Sequence, residues 1–244
     1  MIGMSGRVIV LLAALAVGMG ASALGAAPHP DDPLEGFNRK VYSFNDTLDQ
    51  AFLTPVTNGY RAVAPEFVET GVSNFFSNIS DVGNAVNNIL QFKFVSAGSD
   101  IGRVLINSTF GILGLFDVAS EVGLQKHDED FGQTLGYWGI GTGPYLMLPL
   151  LGPSNLRDTP GKVLDILFWS ATISGASSSE ERAIIALNVV NTRSEYMDLE
   201  ERVEDLSRDR YVFIRDAYQD RREFLVQDGK GSLDDELYEG LEDN

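Results

Sequence analysis

The segment that most constrains the fold is an uncharged, largely apolar stretch that glycines and prolines interrupt throughout. Residues 132–156 contain no Asp, Glu, Lys or Arg, yet five glycines and three prolines lie within residues 136–153. These residues break a straight helix, and irregular backbone at membrane depth is tolerated only inside protein or beside a water-filled cavity. We therefore predict that residues 139–149 form a flexible loop or hairpin next to an apolar passage.

Eight residues of this loop are candidates for contacting lipid and gating its path. The glycines allow backbone angles that other residues avoid, the prolines limit how the loop bends, and the absence of charge lets apolar side chains lie against acyl chains. The candidates are Gly139, Gly141, Gly143, Pro144, Tyr145, Leu146, Met147 and Pro149. A phosphate-binding glycine loop would need a following Lys, or an acidic residue in a βαβ context. A simple chain reversal explains the glycines of residues 139–143 equally well.

Apolar residues elsewhere recur at the three- and four-residue spacing of amphipathic helices. The first such helix covers residues 34–52 and ends or kinks at Pro55. A second covers residues 65–95, and its polar face carries uncharged amides instead of Lys and Glu. The amides are Asn74, Asn78, Asn84, Asn87, Asn88 and Gln91. They either line a polar path or form hydrogen bonds between packed helices.

The remaining segments also favour helices over strands. Residues 104–116 are charge-free but too short to span a bilayer, which predicts a buried or re-entrant element. Residues 163–173 predict a buried or lipid-facing helix, and residues 179–227 predict a charged helix or helix pair that Ser179 caps. Because alternation of apolar and polar residues never extends beyond a few positions, we predict an all-α fold.

The two ends of the chain differ in composition from its middle. Residues 1–27 combine Arg7, an apolar run and a cluster of small residues, which is the pattern of a secretory signal peptide. A retained N-terminal anchor is the alternative. We expect the helical domain to cover residues 28–228. Residues 229–244 form an acidic tail that we expect to be disordered.

Composition excludes several classes of function. A formal net charge of -17 at pH 7 argues against nucleic-acid binding and against electrostatic docking on anionic lipid, so membrane attachment must rest on apolar burial. His127 lies in the acidic run 127–130, whose adjacent residues cannot converge on one metal ion. The chain has neither a cysteine nor the nucleophile elbow of a serine hydrolase. We therefore predict no enzyme activity, no metal and no other cofactor.

Several separated motifs, in the same order along the chain, resemble the MlaA (VacJ) family. They lie within residues 32–45 (DPLEGFNRKVYSFN), residues 131–158 and residues 208–224. The similarity extends from Asp32 to about residue 228, and motifs in this order are far more specific than one glycine loop. Within the first motif, the resemblance marks the N-terminal helix residues Phe37, Asn38, Phe44 and Asn45.

The resemblance implies a ring-like bundle of helices in the inner, periplasmic leaflet of the outer membrane, enclosing an amphipathic channel. It implies removal of phospholipid mislocalised to the outer leaflet and its transfer to a periplasmic carrier resembling MlaC, often while bound to trimeric porins, which maintains lipid asymmetry. Family members are acylated on a cysteine after the signal, and this sequence has none. Anchorage would then rest on apolar helices, or the start of the sequence is misassigned. The alternatives are a structural envelope protein without transport and a lipid hydrolase.

Overall fold

The computed structural model describes residues 32–174, 177–203 and 209–229, which are mostly helical. The predicted helical fold class is confirmed, whereas the predicted signal peptide and the tail beyond Gly229 lie outside these ranges. The described helices are α1 (Glu35–Leu48), α2 (Thr54–Val63), α3 (Glu66–Leu90), α4 (Phe94–Thr109), α5 (Val118–Glu121), α6 (Phe131–Tyr137), α7 (Asp158–Thr172), α8 (Ser178–Val203) and α9 (Arg210–Val226). The described residues also contain a two-stranded sheet of β1 (Tyr145–Leu148) and β2 (Gly152–Asn155).

The described residues form two compact units, each assembled from separate stretches of the chain. The first unit contains residues 32–45, 132–161 and 209–229. The second contains residues 46–131, 162–174 and 177–203. The loop of residues 139–149 therefore belongs to the first unit, and the amide-rich helix belongs to the second.

The first unit contains the β-hairpin. Its strands are antiparallel, with Tyr145 opposite Asn155 and Leu148 opposite Gly152. At the tip, Leu150 has a φ of +65° and Gly152 a φ of +71°. The expected loop or hairpin is thus an irregular approach over residues 139–144 followed by a short, regular hairpin.

The hydrophobic core of the first unit lies on one face of β1. Tyr145 and Met147 are 0% and 2% exposed, because alternate side chains of a strand point to the same face. They pack with Val41 of α1 and Tyr211 of α9. The ring of Tyr145 meets that of Tyr211 edge to face, with the two centroids 6.2 Å apart, a favourable arrangement for aromatic pairs.

The predicted break near Pro55 takes the form of a widened helical turn. A π-helical turn, Asp49–Leu53, follows α1, and α2 begins immediately after it at Thr54. Pro55 lies in the first turn of α2 and has no N–H to donate to the preceding helical turn. The chain therefore continues helically past residue 52 with a changed hydrogen-bonding pattern.

The amide-rich helix of the second unit, α3, turns its polar face inward. The helix predicted over residues 65–95 is confirmed as α3 up to Leu90, whereas residues 91–93 are not helical and α4 begins at Phe94. Phe67 and Ile89 from its apolar stripe are 76% and 44% exposed. Most of the buried side chains of α3 are polar: Asn78, Asp81, Asn84, Asn87 and Asn88 are buried together with Phe76 and Ala85. The usual arrangement of an amphipathic helix in water, with the apolar stripe inside, is reversed along much of α3.

The apolar segment of residues 104–116 is not buried. α4 ends at Thr109, and residues 110–115 form a turn. Leu105, Phe110 and Leu113 are 62%, 73% and 69% exposed. Of the two predicted alternatives, a buried element is therefore wrong, since length and lack of charge do not distinguish a core segment from an exposed apolar one. A re-entrant element stays a prediction.

The predicted charged helix pair is confirmed as α8 and α9. The cap predicted at Ser179 was wrong by two residues. The Ser177 hydroxyl accepts the N–H of Glu180 at 3.4 Å while the Glu180 carboxylate accepts the N–H of Ser177 at 2.7 Å, which is a capping box. Across the described ranges, no helix combines the length and apolar character needed to cross a membrane.

Candidate functional site

Asn38 binds the start of the hairpin through both atoms of its amide. Its Nδ2 donates to the carbonyl of Tyr145 at 3.0 Å, and its Oδ1 accepts the N–H of Met147 at 2.9 Å. The same Nδ2 donates to the Asp32 carboxylate at 2.8 Å, which fixes the orientation of the amide. Because Asn38 is 0% exposed, its loss would leave buried backbone groups without partners.

Asn45 makes the same pair of bonds at the tip of the hairpin. Its Nδ2 donates to the carbonyl of Leu148 and its Oδ1 accepts the N–H of Leu150, both at 2.9 Å. Asn38 and Asn45 are seven residues apart, about 10.5 Å along a helix. The hairpin segments that they bind are three residues apart, about 10 Å along a strand. The two spacings match, so the side chains of Asn38 and Asn45 supply hydrogen bonds to the hairpin backbone that a neighbouring strand would otherwise make.

The other two residues of the N-terminal motif helix have different surroundings. Phe37 is partly buried against the core of the first unit. Phe44 is 51% exposed, although it directly precedes Asn45. The motif therefore joins two hairpin-binding amides to one packing residue and one outward-facing aromatic residue.

Two of the three candidate glycines are required by the backbone. Gly139 and Gly143 have φ values of +87° and +67°, a region that other residues rarely adopt. At Gly143 a Cβ would also approach the Cβ of Leu156 to 2.9 Å, which is too close. Gly141 differs: its φ is not positive, and a Cβ there would meet nothing within 4 Å.

The two candidate prolines lie at opposite ends of β1. The carbonyl of Pro144 accepts the N–H of Leu156 at 3.1 Å, and the carbonyl of Thr142 accepts the N–H of Arg157 at 3.1 Å. These bonds extend the pairing of the hairpin beyond its strands. Pro149 directly follows β1 and lies in the turn that connects the strands.

The structure assigns different roles to the apolar candidates of β1. Tyr145 and Met147 face the protein core, so their side chains are not available to an acyl chain in this conformation, while Leu146 is half-buried. The exposed apolar side chains lie beside them in the sequence: Trp138, Ile140, Leu150, Leu151 and Leu156. Sequence reasoning missed this set because an uncharged segment does not reveal which of its apolar residues point inward. Residues 145–148 (YLML) are apolar at every position, so no alternation marks the side chains that point inward.

A buried carboxylate holds the base of the hairpin to α9. Asp158 forms ion pairs with Arg157 at 2.7 Å and with Arg222 at 2.8 Å, and its Oδ2 accepts bonds from Tyr218 at 2.8 Å and from Asn155 at 2.6 Å. Burial alone would raise the pKa of Asp158, but the bond from Arg157 and the charge of Arg222 outweigh burial and hold the pKa below its ordinary value. Asp158 is thus ionised and fully partnered.

A second buried carboxylate links the beginning of α1 to α9. Asp32 is 0% exposed and accepts hydrogen bonds from the hydroxyl of Tyr211 and from Asn38, with Arg215 3.8 Å away. Burial and the neighbouring Asp32 carboxylate raise the pKa of Tyr211 well above its ordinary value. The residue pattern did not mark Asp32, Tyr211 or Arg215 as candidates. Their one signal was the resemblance, whose motifs include all three.

In the second unit, the amides of α3 bind a neighbouring loop and helix. Asn84 donates to the carbonyl of His127 at 2.6 Å and accepts the N–H of Glu129 at 3.2 Å. Asn88 donates to Asp100 of α4 at 2.8 Å. Of the two interpretations of the amide face, hydrogen bonding between packed elements therefore applies to these two residues.

Charged residues complete the polar interior of the second unit. Arg103, 1% exposed, contacts Asp81 at 3.0 Å and Asp117 at 3.0 Å, and Lys126 contacts Asp81 at 2.7 Å. His127 lies 2.8 Å from Asp100, whose pKa is raised because desolvation outweighs the histidine contact. Within the described residues, no group of three or more His, Asp or Glu side chains is placed to hold a metal ion.

Polarity in the described part of the chain is distributed opposite to that of a protein folded in water. Twenty-two buried residues are polar or charged and nine are hydrophobic, whereas 32 large hydrophobic residues are exposed. Such large exposed apolar surfaces mark sites of contact with membranes, proteins or ligands. In the second unit the exposed set includes Phe94, Val95, Leu105 and Phe110, all more than 60% exposed.

Comparison with known proteins relates this arrangement to a family. A family model described as MlaA lipoprotein matches residues 30–225. An uncharacterised protein of Rickettsia typhi is 38% identical over 196 residues, which cover 80% of this chain and 78% of that protein. The intermembrane phospholipid transport system lipoprotein MlaA of Escherichia coli K12 is 33% identical over 207 residues, covering 82% and 80% of the two chains.

A solved structure supports the same relationship. It is described as the structural basis for maintenance of bacterial outer membrane lipid asymmetry, and it shares 33% sequence identity with this chain. The TM-score is 0.67, and the match covers 80% of this chain and 98% of that one. With its family match and its relatives above 30% identity, the chain belongs to the MlaA lipoprotein family.

Proposed function

We propose that this chain is a channel-type component of phospholipid transport at the outer membrane. It removes mislocalised phospholipid from the outer leaflet, passes it to a periplasmic carrier, and thereby maintains lipid asymmetry. The observation that carries the proposal is the reversed distribution of polarity, with polar side chains inside and large apolar side chains outside. The names of the relatives, which refer to intermembrane phospholipid transport, support the same function.

The apolar exterior fits attachment to the hydrocarbon of a bilayer. Transfer of one large apolar side chain from water to an apolar environment contributes about 1.5–3 kcal/mol when it is complete. Several such residues on the second unit, including Phe94, Val95 and Phe110, are more than 60% exposed. With a net charge of -17, the chain gains no general attraction to anionic lipid, so apolar burial is the term that anchors it.

The hairpin of the first unit is the element we assign to gating. Its conformation depends on Gly139 and Gly143 at positive φ and on the amides of Asn38 and Asn45, so a few bonds determine its position. The side chains that would contact lipid are the exposed ones near the loop, among them Ile140, rather than Tyr145 and Met147. Movement of the irregular approach, residues 139–144, would then open or close the path while Tyr145 and Met147 stay in the core.

The partners follow from the same proposal. Phospholipid leaves the membrane toward a soluble periplasmic carrier resembling MlaC, and trimeric porin is the proposed outer-membrane partner. The process breaks no bond, so the chain acts without catalysis. His127, the histidine in the described part of the chain, is engaged with the buried Asp100 carboxylate.

Lipid capture by the purified protein tests this function. The full chain is purified in detergent, mixed with vesicles containing radiolabelled phospholipid, recovered by affinity tag and extracted. We expect intact phospholipid to accompany the protein at a defined stoichiometry. Protein recovered without lipid would favour a structural role, and labelled lysophospholipid or fatty acid would establish a hydrolase.

A further inference from the structure

The second unit has a groove whose lining differs from the apolar exterior. It encloses about 420 Å³ between α3, α8 and the loop that contains Lys126, a volume within the range of small-ligand sites. Eight of its twelve lining residues carry uncharged hydroxyl or amide side chains, three are charged and one is Phe76. The groove therefore suits a polar ligand group that makes several hydrogen bonds.

The charges of the groove indicate what kind of polar group fits. Lys126, Asp128 and Glu195 line it, so its lining carries more negative than positive charge. Lys126 also contacts the buried carboxylate of Asp81 at 2.7 Å, which partly neutralises it. A ligand with only negative charge would be repelled by this surplus, whereas a ligand that also carries a cationic group would not.

Glu195 is the residue best placed to bind the cationic group. The Glu195 carboxylate accepts hydrogen bonds from the neutral groups of Ser73 and Asn191, the latter at 3.0 Å, and it lies on the exposed side of the groove. These contacts fix the carboxylate without neutralising it. A primary ammonium could both pair with Glu195 and donate to neighbouring oxygens, whereas a quaternary ammonium has no hydrogen to donate.

The other end of the groove offers donors for a phosphate. Lys126 supplies positive charge and donates to the Ser77 hydroxyl, which keeps its own hydrogen to donate. Asn74 Nδ2 donates one hydrogen to the carbonyl of Leu115 and has a second one for a ligand. Leu187 and Val189, which flank the groove residue Asn188 in α8, are 39% and 47% exposed and provide apolar surface next to it. A polar groove bordered by apolar side chains matches a lipid with a zwitterionic head group.

We infer that this groove binds the head group of a phospholipid carrying a primary amine, with the ammonium at Glu195 and the phosphate toward Lys126. The inference rests on the proposed lipid transport and adds a selectivity to it. Phosphatidylethanolamine has this chemistry. Phosphatidylglycerol lacks the cation, and phosphatidylcholine lacks the ammonium hydrogens.

Competition between lipids tests the inference. The detergent-purified full chain is mixed with vesicles of equal parts phosphatidylethanolamine, phosphatidylcholine and phosphatidylglycerol, and the recovered lipid is quantified by mass spectrometry. We expect phosphatidylethanolamine to be enriched about two- to fivefold over each of the others, the range that one exposed ion pair supplies. Glu195→Gln, which keeps the hydrogen-bond acceptor and removes the charge, should abolish the enrichment by lowering the recovered phosphatidylethanolamine to the level of the other two lipids. Thermal stability should stay unchanged.

Glu180→Gln is the matched control, because it removes a charge from α8 outside the groove and Gln can still complete the capping box. It should retain the enrichment. Wild-type protein that binds lipid in vesicle proportions, or a Glu195→Gln variant that stays enriched, would overturn the inference and leave the transport proposal standing. Wild-type protein that binds no phospholipid would overturn both.

Discussion

The side-chain Oδ1 of Asn45 accepts the backbone N–H of Leu150 at 2.9 Å, at the tip of the hairpin. Leu150 has a φ of +65°, an uncommon conformation for a residue with a side chain that costs about 1–3 kcal/mol. The bond therefore stabilises a strained tip. Asn45→Ala removes it together with the bond to Leu148, which should lower the free energy of unfolding by about 1–2 kcal/mol. Amide hydrogen exchange of residues 148–151 should accelerate.

Lys40→Ala is the control for this variant, because Lys40 is exposed on the same helix. It should leave exchange at the hairpin tip unchanged. Wild-type exchange rates in Asn45→Ala would show that the tip holds its conformation without the amide.

The sequence contained enough information to predict the helices but not the direction that they face. Apolar residues at helical spacing predict α3 correctly, yet they do not show that Asp81 and Asn88 are inside while Phe67 is outside. In water the apolar stripe is the buried one. The pattern alone therefore predicts the helix but not which of its faces is buried in other surroundings. The proposed contact of the exposed apolar face with lipid is not information that the sequence of any one helix carries.

The candidate hairpin shows a second limit of the sequence. Glycines and prolines in an uncharged segment predicted where the irregular backbone would be, and Gly143 needs its glycine for the reason expected. The hydrogen bonds of the Asn38 and Asn45 side-chain amides join residues more than 100 positions apart. Residue spacing within one segment carries no information on such contacts, so only the family motif marked these two residues.

Gly143→Val should impair the hairpin far more than Gly141→Val. At Gly143 the positive φ and the 2.9 Å approach to Leu156 both oppose a side chain, with a backbone strain of about 1–3 kcal/mol. Gly141 has open space around it and no positive φ, so it is the matched control. Thermal unfolding of both variants measures the difference, and equal melting temperatures would show that the loop adjusts freely.

Two buried tyrosines should respond oppositely to loss of the hydroxyl. The Tyr145 hydroxyl is buried and has no hydrogen-bond partner among the described residues, so Tyr145→Phe should leave stability unchanged or raise it. The Tyr211 hydroxyl donates to the buried Asp32 carboxylate, so Tyr211→Phe should cost about 1.5–3 kcal/mol. Chemical denaturation of both variants tests this, and a larger loss in Tyr145→Phe would contradict the arrangement.

Asp158 should make stability depend on pH in the acid range. Its pKa in the folded chain lies below that of an unfolded aspartate, about 3.9. Its contribution to the free energy of unfolding is therefore fully present above about pH 4 and is lost as the pH falls through the lower folded value. Asp158→Asn leaves Arg157 and Arg222 without their carboxylate and should cost about 3–5 kcal/mol at neutral pH.

The difference in stability between wild type and Asp158→Asn should shrink as the pH is lowered below 4, because the wild-type carboxylate is then protonated. Asp220→Asn, an exposed substitution in α9, should show neither effect. A constant difference from pH 7 to the acid limit would mean that the charge of Asp158 does not hold the base of the hairpin.

Outer-leaflet phospholipid in living cells tests the transport role most directly. Cells lacking this chain are compared with cells that express the wild-type chain or Asn45→Ala at equal abundance, and surface phospholipid is labelled with an impermeant reagent. We expect loss of the chain to raise outer-leaflet phospholipid, the wild-type chain to restore the low level, and Asn45→Ala to differ from wild type. Equal outer-leaflet phospholipid with and without the chain would contradict a role in lipid asymmetry.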